Sequence, residues 1–95
     1  MKLKVAPTAL ADLQRLRGFL EDKNLTAARR AIAEIGRAID TLLVFPDRGN
    51  PSGVQGLRDL MVPFGRSVYV VRFAHDPELA EVVITRIWHG REARE

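Results

Sequence analysis

Residues 67–92 read SVYVVRFAHDPELAEVVITRIWHGRE. Ser67 to Ala74 is a β-branched and aromatic run of the kind that fits a pleated, half-buried surface. Leu79 to Trp88 is a second such run. Only His75-Asp76-Pro77-Glu78 separates them, and a connection that short forces two strands antiparallel. Leu57 to Val62 is a third apolar run, joined to Ser67 through Pro63-Phe64-Gly65, a turn composition. The spacing therefore predicts a three-stranded antiparallel meander.

Working outward toward the N-terminus, Phe45 to Gly56, FPDRGNPSGVQG, is dense in proline and glycine and predicts a loop without helix or strand. Before it the apolar period changes from two to 3.6. Ala28, Ile32, Ile35, Ile39 and Leu42 step 4, 3, 4, 3, with Arg29, Arg30, Glu34, Arg37 and Asp40 on the other face, and Asn24 or Thr26 is placed to cap this helix. Ala9, Leu13, Leu16 and Leu20 form an earlier stripe that Leu10 and Phe19 widen, opened by Ala6-Pro7-Thr8. The short link between the stripes predicts an antiparallel helical hairpin. Lys2 to Val5 alternates as a first strand. The result is an α+β chain in the order β-α-α-β-β-β, a single domain over residues 1–95, with the hairpin on one face of a small antiparallel sheet and the other face left relatively free.

Composition narrows the classes of function. A chain of 95 residues hides roughly 65% of the surface its unfolded form exposes, so the core is thin. No apolar run approaches the ~18 residues of a membrane span, and the N-terminus lacks the apolar centre of a signal peptide. There is no cysteine, which removes disulfides and thiolate metal sites and agrees with a cytoplasmic protein. Neither a metal nor another cofactor is implied, and no membrane partner. The formal charge is +3 with a pI near 10.0, too mild to imply nucleic-acid binding by itself. After Lys23 every cation is arginine, the side chain suited to carboxylates and phosphates.

Several segments resemble the RelE/ParE superfamily of toxins from type II toxin–antitoxin pairs. TALADLQRLRGFL, with Ala9 to Leu13, is similar to the family's Ala-x-x-Asp-Leu helix opening. FPDRGNP is similar to its Pro-x-x-Gly-x-Pro loop, here Pro46 to Pro51. GRSVYVVRF resembles the arginine-led central strand, here Arg66 before Val68-Tyr69-Val70. VITRIWHGREAR resembles the closing strand and its His-Gly-Arg tail, an ending closer to ParE-like members. The resemblance implies a toxin neutralised by a cognate antitoxin, with a role in plasmid stabilisation. ParE-like members poison DNA gyrase; RelE-like members cut messenger RNA in the ribosome. A degenerate protein that keeps only antitoxin binding is a further alternative.

Cutting RNA by 2′-OH attack needs a base, cations around the pentacoordinate phosphate and an acid for the leaving oxygen. If this chain is a nuclease, the candidates are Arg66, His89, Arg91 and Arg58. His89 carries an imidazole, a side chain suited to act as acid or base, and antiparallel pairing brings Arg66, before the middle strand, toward His89 at the end of the next. Other features oppose this reading. The RelE-like nucleases, as the resemblance has it, place lysines on the preceding strand, where this chain has Leu57-Arg58-Asp59-Leu60. Other members pair histidine with a glutamate, and residues 45–77 contain none. The preferred reading is a toxin without chemistry of its own, with gyrase as target and the ribosome as the alternative.

Arg72 and Arg86, mid-strand among apolar neighbours, are expected on the solvated sheet face, where they would give it positive character. Together with Trp88, His89 and Arg91 they are the candidates for contact with target or antitoxin, and the tail Trp88 to Glu95 is the first candidate for the target. Tyr69 is expected in the core. Arg58, Arg66 and Arg91 have Asp59, Glu92 and Glu95 as ion-pair partners in the plainer reading, each pair worth under ~1 kcal/mol at a solvated surface. The antitoxin is expected in the groove beside the hairpin and along the free edge of the sheet.

Overall fold

The structure, a computed structural model, describes residues 1–92. Strand β1 is Lys2–Val5, helix α1 Pro7–Glu21, helix α2 Leu25–Thr41, and strands β2 to β5 are Asn50–Pro51, Arg58–Phe64, Ser67–Asp76 and Glu81–His89. Pro7 opens α1, where its missing N–H costs no hydrogen bond. Asn24 caps α2 by accepting from the Ala27 N–H at 3.0 Å.

The sheet order is β1-β5-β4-β3-β2. The meander β3-β4-β5 is antiparallel, as its turns require. The fully antiparallel sheet expected from the sequence needs one correction: β1 pairs with β5 in parallel, Lys2 with Glu81 through Val5 with Ile84. Parallel neighbours need a long crossover, and here nearly the whole chain is that crossover. The loop expected over 45–56 also holds a two-residue strand, Asn50–Pro51 against Asp59 and Arg58. Gly49 makes this possible: its φ is +87°, and a Cβ there would stand 2.4 Å from the Asp59 carbonyl oxygen.

The strands run longer than the turn residues suggested. β3 continues through Pro63 and Phe64, so the turn is Gly65-Arg66. β4 continues through His75 to Asp76, whose carboxylate accepts from the Glu78 and Leu79 N–H groups and closes the next turn. β5 begins at Glu81.

The core lies between the hairpin and one sheet face. Leu16, Ile35, Ile39 and Leu42 pack against Leu60, Tyr69, Val71, Phe73, Val82, Ile84 and Ile87. Ile84 and Ile87 both reach this face although three positions apart, because the register slips between Arg72 and Phe73 and leaves Thr85 as an extra residue. Leu10 and Phe19 do not widen the buried stripe of α1; they are 50% and 60% exposed. Phe19 has the Lys23 ammonium over its ring, 4.9 Å from the centroid. Among the described residues no helix is long and apolar enough to cross a membrane.

Candidate functional site

The uncovered sheet face is ordered in rows by strand register. Asp59, Arg72 and Arg86 stand side by side across β3, β4 and β5, and Met61, Val70 and Trp88 form the next row. The positive character expected of Arg72 and Arg86 is largely cancelled. Arg72 donates Nε to Asp59 Oδ1 at 2.9 Å and Nη2 to Oδ2 at 3.2 Å, a two-pronged pair with both side chains mostly buried. Its guanidinium also covers the Trp88 ring at 4.9 Å. Trp88 and Val70 are nearly buried, while Met61 is 48% exposed.

Arg86 is committed in the same way, to Asp12 of α1. Its Nε reaches Oδ2 at 2.8 Å and its Nη2 reaches Oδ1 at 3.2 Å. Asp12 Oδ2 also accepts the Ile87 N–H at 2.9 Å. Burial pushes the Asp12 carboxyl up, but the Arg86 and Ile87 hydrogen bonds, the Arg86 charge and Arg15 outweigh it and hold the group below its ordinary value. Thr8, Asp12 and Arg15 fall at steps of 4 and 3, one face of α1. Thr8 donates to the Thr85 carbonyl at 2.7 Å. β1 pairs only as far as Ile84, so beyond it α1 takes the place of a neighbouring strand and satisfies the exposed β5 edge with side chains.

The chain past β5 folds back on itself. The Gly90 N–H donates to the Val68 carbonyl at 2.7 Å, and a Cβ on Gly90 would lie 2.9 Å from that oxygen. Glu92 Oε1 accepts the His89 N–H at 2.8 Å, and Glu92 Oε2 accepts from Arg15 Nη1 at 2.6 Å. The Arg91 N–H donates to His89 Nδ1 at 3.1 Å. The His89 ring meets Tyr69 edge to face, centroids 5.2 Å apart. Tyr69 is core, as expected, and burial together with the Glu92 charge pushes its phenol up. Between this turn and the C-terminal half of α1 runs a groove of about 530 Å³ lined by Leu16, Phe19, Leu20, Tyr69, His89 and Arg91, with Arg15 and Glu92 at its side.

His89 and Arg91 are thus together at one end of the sheet. Arg66 is exposed in the β3–β4 turn at that same end, without a hydrogen bond to His89. Arg58 is elsewhere: it pairs across to Phe73, while His89 lies across from Tyr69, four residues or ~13 Å along the strand. Its guanidinium donates to the Arg48 and Gly49 carbonyls at 3.2 and 2.7 Å, fastening the loop. Asp59 serves Arg72 and Glu92 serves Arg15, so neither is the partner expected for Arg58, Arg66 or Arg91. Glu95, the third such partner, and the last part of the tail lie outside the described residues. Among the described residues no cluster of His, Asp and Glu could hold a metal. Asp12 and Arg15 were missed from sequence, and Glu92 was expected with other arginines than Arg15; the 8-12-15 polar stripe, one position before the apolar stripe, was the available signal for the first two.

Comparison with known proteins bears on the family and the fold. A family model described as the ParE toxin of type II toxin–antitoxin system, parDE, matches residues 3–94. Toxin RelE1 of Caulobacter vibrioides is 37% identical over 90 residues, which span 95% of this chain and 94% of that protein. Toxin RelE3 of the same organism is 36% identical over 92 residues, 97% of each. A solved structure described as the chromosomal ParDE TA system from P. aeruginosa superposes with a TM-score of 0.78 at 26% identity, covering 94% of this chain and 95% of that one.

Proposed function

Since the chain belongs to the ParE-toxin family of type II toxin–antitoxin systems, we propose that it harms its host by gripping a protein target, DNA gyrase, and carries out no chemistry of its own. The observation that carries this reading is the state of the open sheet face. Phosphodiester cleavage asks for cations free to meet a developing charge. Here Arg72 is held by Asp59 and Arg86 by Asp12, and the adjoining row is Met61, Val70 and Trp88. A face with neutralised arginines beside an apolar row in which Met61 is 48% exposed suits a protein surface better than a phosphate. The partner that restrains the toxin is a cognate antitoxin protein, and the site of action is the cytoplasm, where gyrase and its DNA are.

Purified protein added to gyrase and plasmid should block supercoiling and accumulate linear DNA after denaturation. Undisturbed supercoiling would end the gyrase reading. A second reading, message cleavage on the ribosome, is favoured by the grouping of His89 and Arg91 with Arg66 nearby, and by relatives that carry the RelE name. It predicts cut transcripts when the protein meets translating ribosomes.

A further inference from the structure

Unpaired charge is segregated between the two ends of the sheet. Among the described residues, the exposed cationic side chains with neither an ion-pair partner nor an oxygen to donate to are Lys2, Lys23, Arg29, Arg30, Arg66 and Arg91. All but Lys2 gather at the end where His89 lies across from Tyr69. Arg66 is in the β3–β4 turn there and Arg91 in the turn past β5. The last turn of α1 shares a groove with Arg91, which brings Lys23 of the α1–α2 connection to the same end. Arg29, in the first two turns of α2, lies beside Arg17 and Glu21 of that last turn. The first turn of α2 holds no acid, and Glu34, one turn on from Arg30, is taken by Arg37. Of the acids at this end, Glu21 serves Arg17 and Glu92 serves Arg15, which leaves Asp22. The other acids without a lysine or arginine partner are Asp40 in the last turn of α2, Asp47 on His75, and Asp76 and Glu78 at the β4–β5 turn. The ten residues of β4 hold the two ends ~30 Å apart.

We propose that this end of the molecule lies against the phosphate backbone of duplex DNA. Taking that DNA to be the segment held by gyrase rests on the gyrase reading above; the affinity for a duplex does not. The five cations come from four separate segments, so they form a spread of like charge around one end rather than a single point. Such a spread suits a polyanion whose charges recur about every 1.7 Å of its axis, and bringing the two together releases condensed counterions. Four of the five are arginines, whose planar forks match phosphate oxygens. A single strand fits less well. Its recognition leans on aromatic platforms for the bases, and here the exposed ring, Phe19, already lies under the Lys23 ammonium. The acids at the far end repel a duplex and so orient the molecule with its basic end inward. Arg72 and Arg86 take no part, being held by Asp59 and Asp12, so the open sheet face stays free for protein.

The test uses the full chain, without gyrase, and three labelled probes: a short DNA duplex of arbitrary sequence, polyuridine and polyglutamate. Fluorescence anisotropy at a series of salt concentrations should show the duplex bound more tightly than either other probe, with log K falling against log salt at a slope of about −4. Arg29→Gln together with Arg30→Gln should bring that slope to about −2, and Arg66→Gln alone should reduce it by about one. Lys2→Gln, at the other end, should leave it unchanged. All of these side chains are exposed and unpaired, so the fold does not depend on them. An unbound duplex, a slope that Lys2→Gln lowers as much as the arginine changes do, or tighter binding of polyuridine or polyglutamate would overturn the proposal. The supercoiling assay is read separately. If gyrase proceeds undisturbed the gyrase reading falls, and the anisotropy still decides the DNA contact. If both hold, the Arg29→Gln, Arg30→Gln chain should need several-fold more protein to block supercoiling.

Discussion

Arg86 and Asp12, 74 residues apart in the chain, meet through two hydrogen bonds of 2.8 and 3.2 Å where helix α1 lies along the uncovered edge of β5. The same carboxylate takes the Ile87 N–H. One acid therefore fixes the helix to the strand, neutralises an arginine of the open face and satisfies an edge amide. Asp12→Asn keeps the size of the side chain and removes the charge. It should destabilise the fold by about 2–3 kcal/mol, less than a fully buried pair because Arg86 is partly exposed. Urea unfolding measures this; an unmoved midpoint would show that the clamp contributes nothing.

The same group gives a pH dependence with a definite sign. The Asp12 carboxyl is held below its ordinary value in the folded chain, against ~3.9 for an unperturbed aspartate. Its contribution is complete above the unfolded value and is lost as pH falls through the folded one. The stability gap between the wild type and Asp12→Asn should thus be constant above about pH 5 and shrink below about pH 4. A gap that widens with acid would contradict the assignment.

Asp59 and Arg72 form the second neutralising pair, each with little exposure. Asp59→Ala and Arg72→Ala should couple by about 1–2 kcal/mol in a double-mutant cycle, since either single change strands the other charge. Arg72→Ala also removes the cation above Trp88, so the tryptophan emission should move to longer wavelength as water reaches the ring. Additive energies and an unchanged spectrum would refute the pairing.

Most of the fold was written in periodicity. The 4-3 stripe of α2 and the β-branched run around Tyr69 predict their elements because burial demands a repeat. The places that resisted prediction are those where a neighbour overrides the local pattern. Pro63 looks like a turn residue but sits within β3, whose partner on that side is only the two-residue β2. Thr85 breaks the period of two, because a bulge there lets Ile84 and Ile87 share a face. At the candidate site His89 and Arg91 were legible as the polar end of a strand. The restraint on Arg72 and Arg86 was not, because mid-strand arginines read as solvated until Asp59 and the distant Asp12 are placed beside them.

His89 separates binding from chemistry. In a nuclease it would move a proton, and its loss would abolish toxicity. In the proposed toxin it has no such task, so His89→Ala should arrest growth nearly as well as the wild type when induced alone. Stability should fall only slightly, by about 0.5–1.5 kcal/mol for the lost edge-to-face contact with Tyr69. Dose–response curves for growth against toxin inducer, with urea unfolding beside them, report both quantities. A folded His89→Ala chain that has lost all toxicity would transfer the assignment to message cleavage.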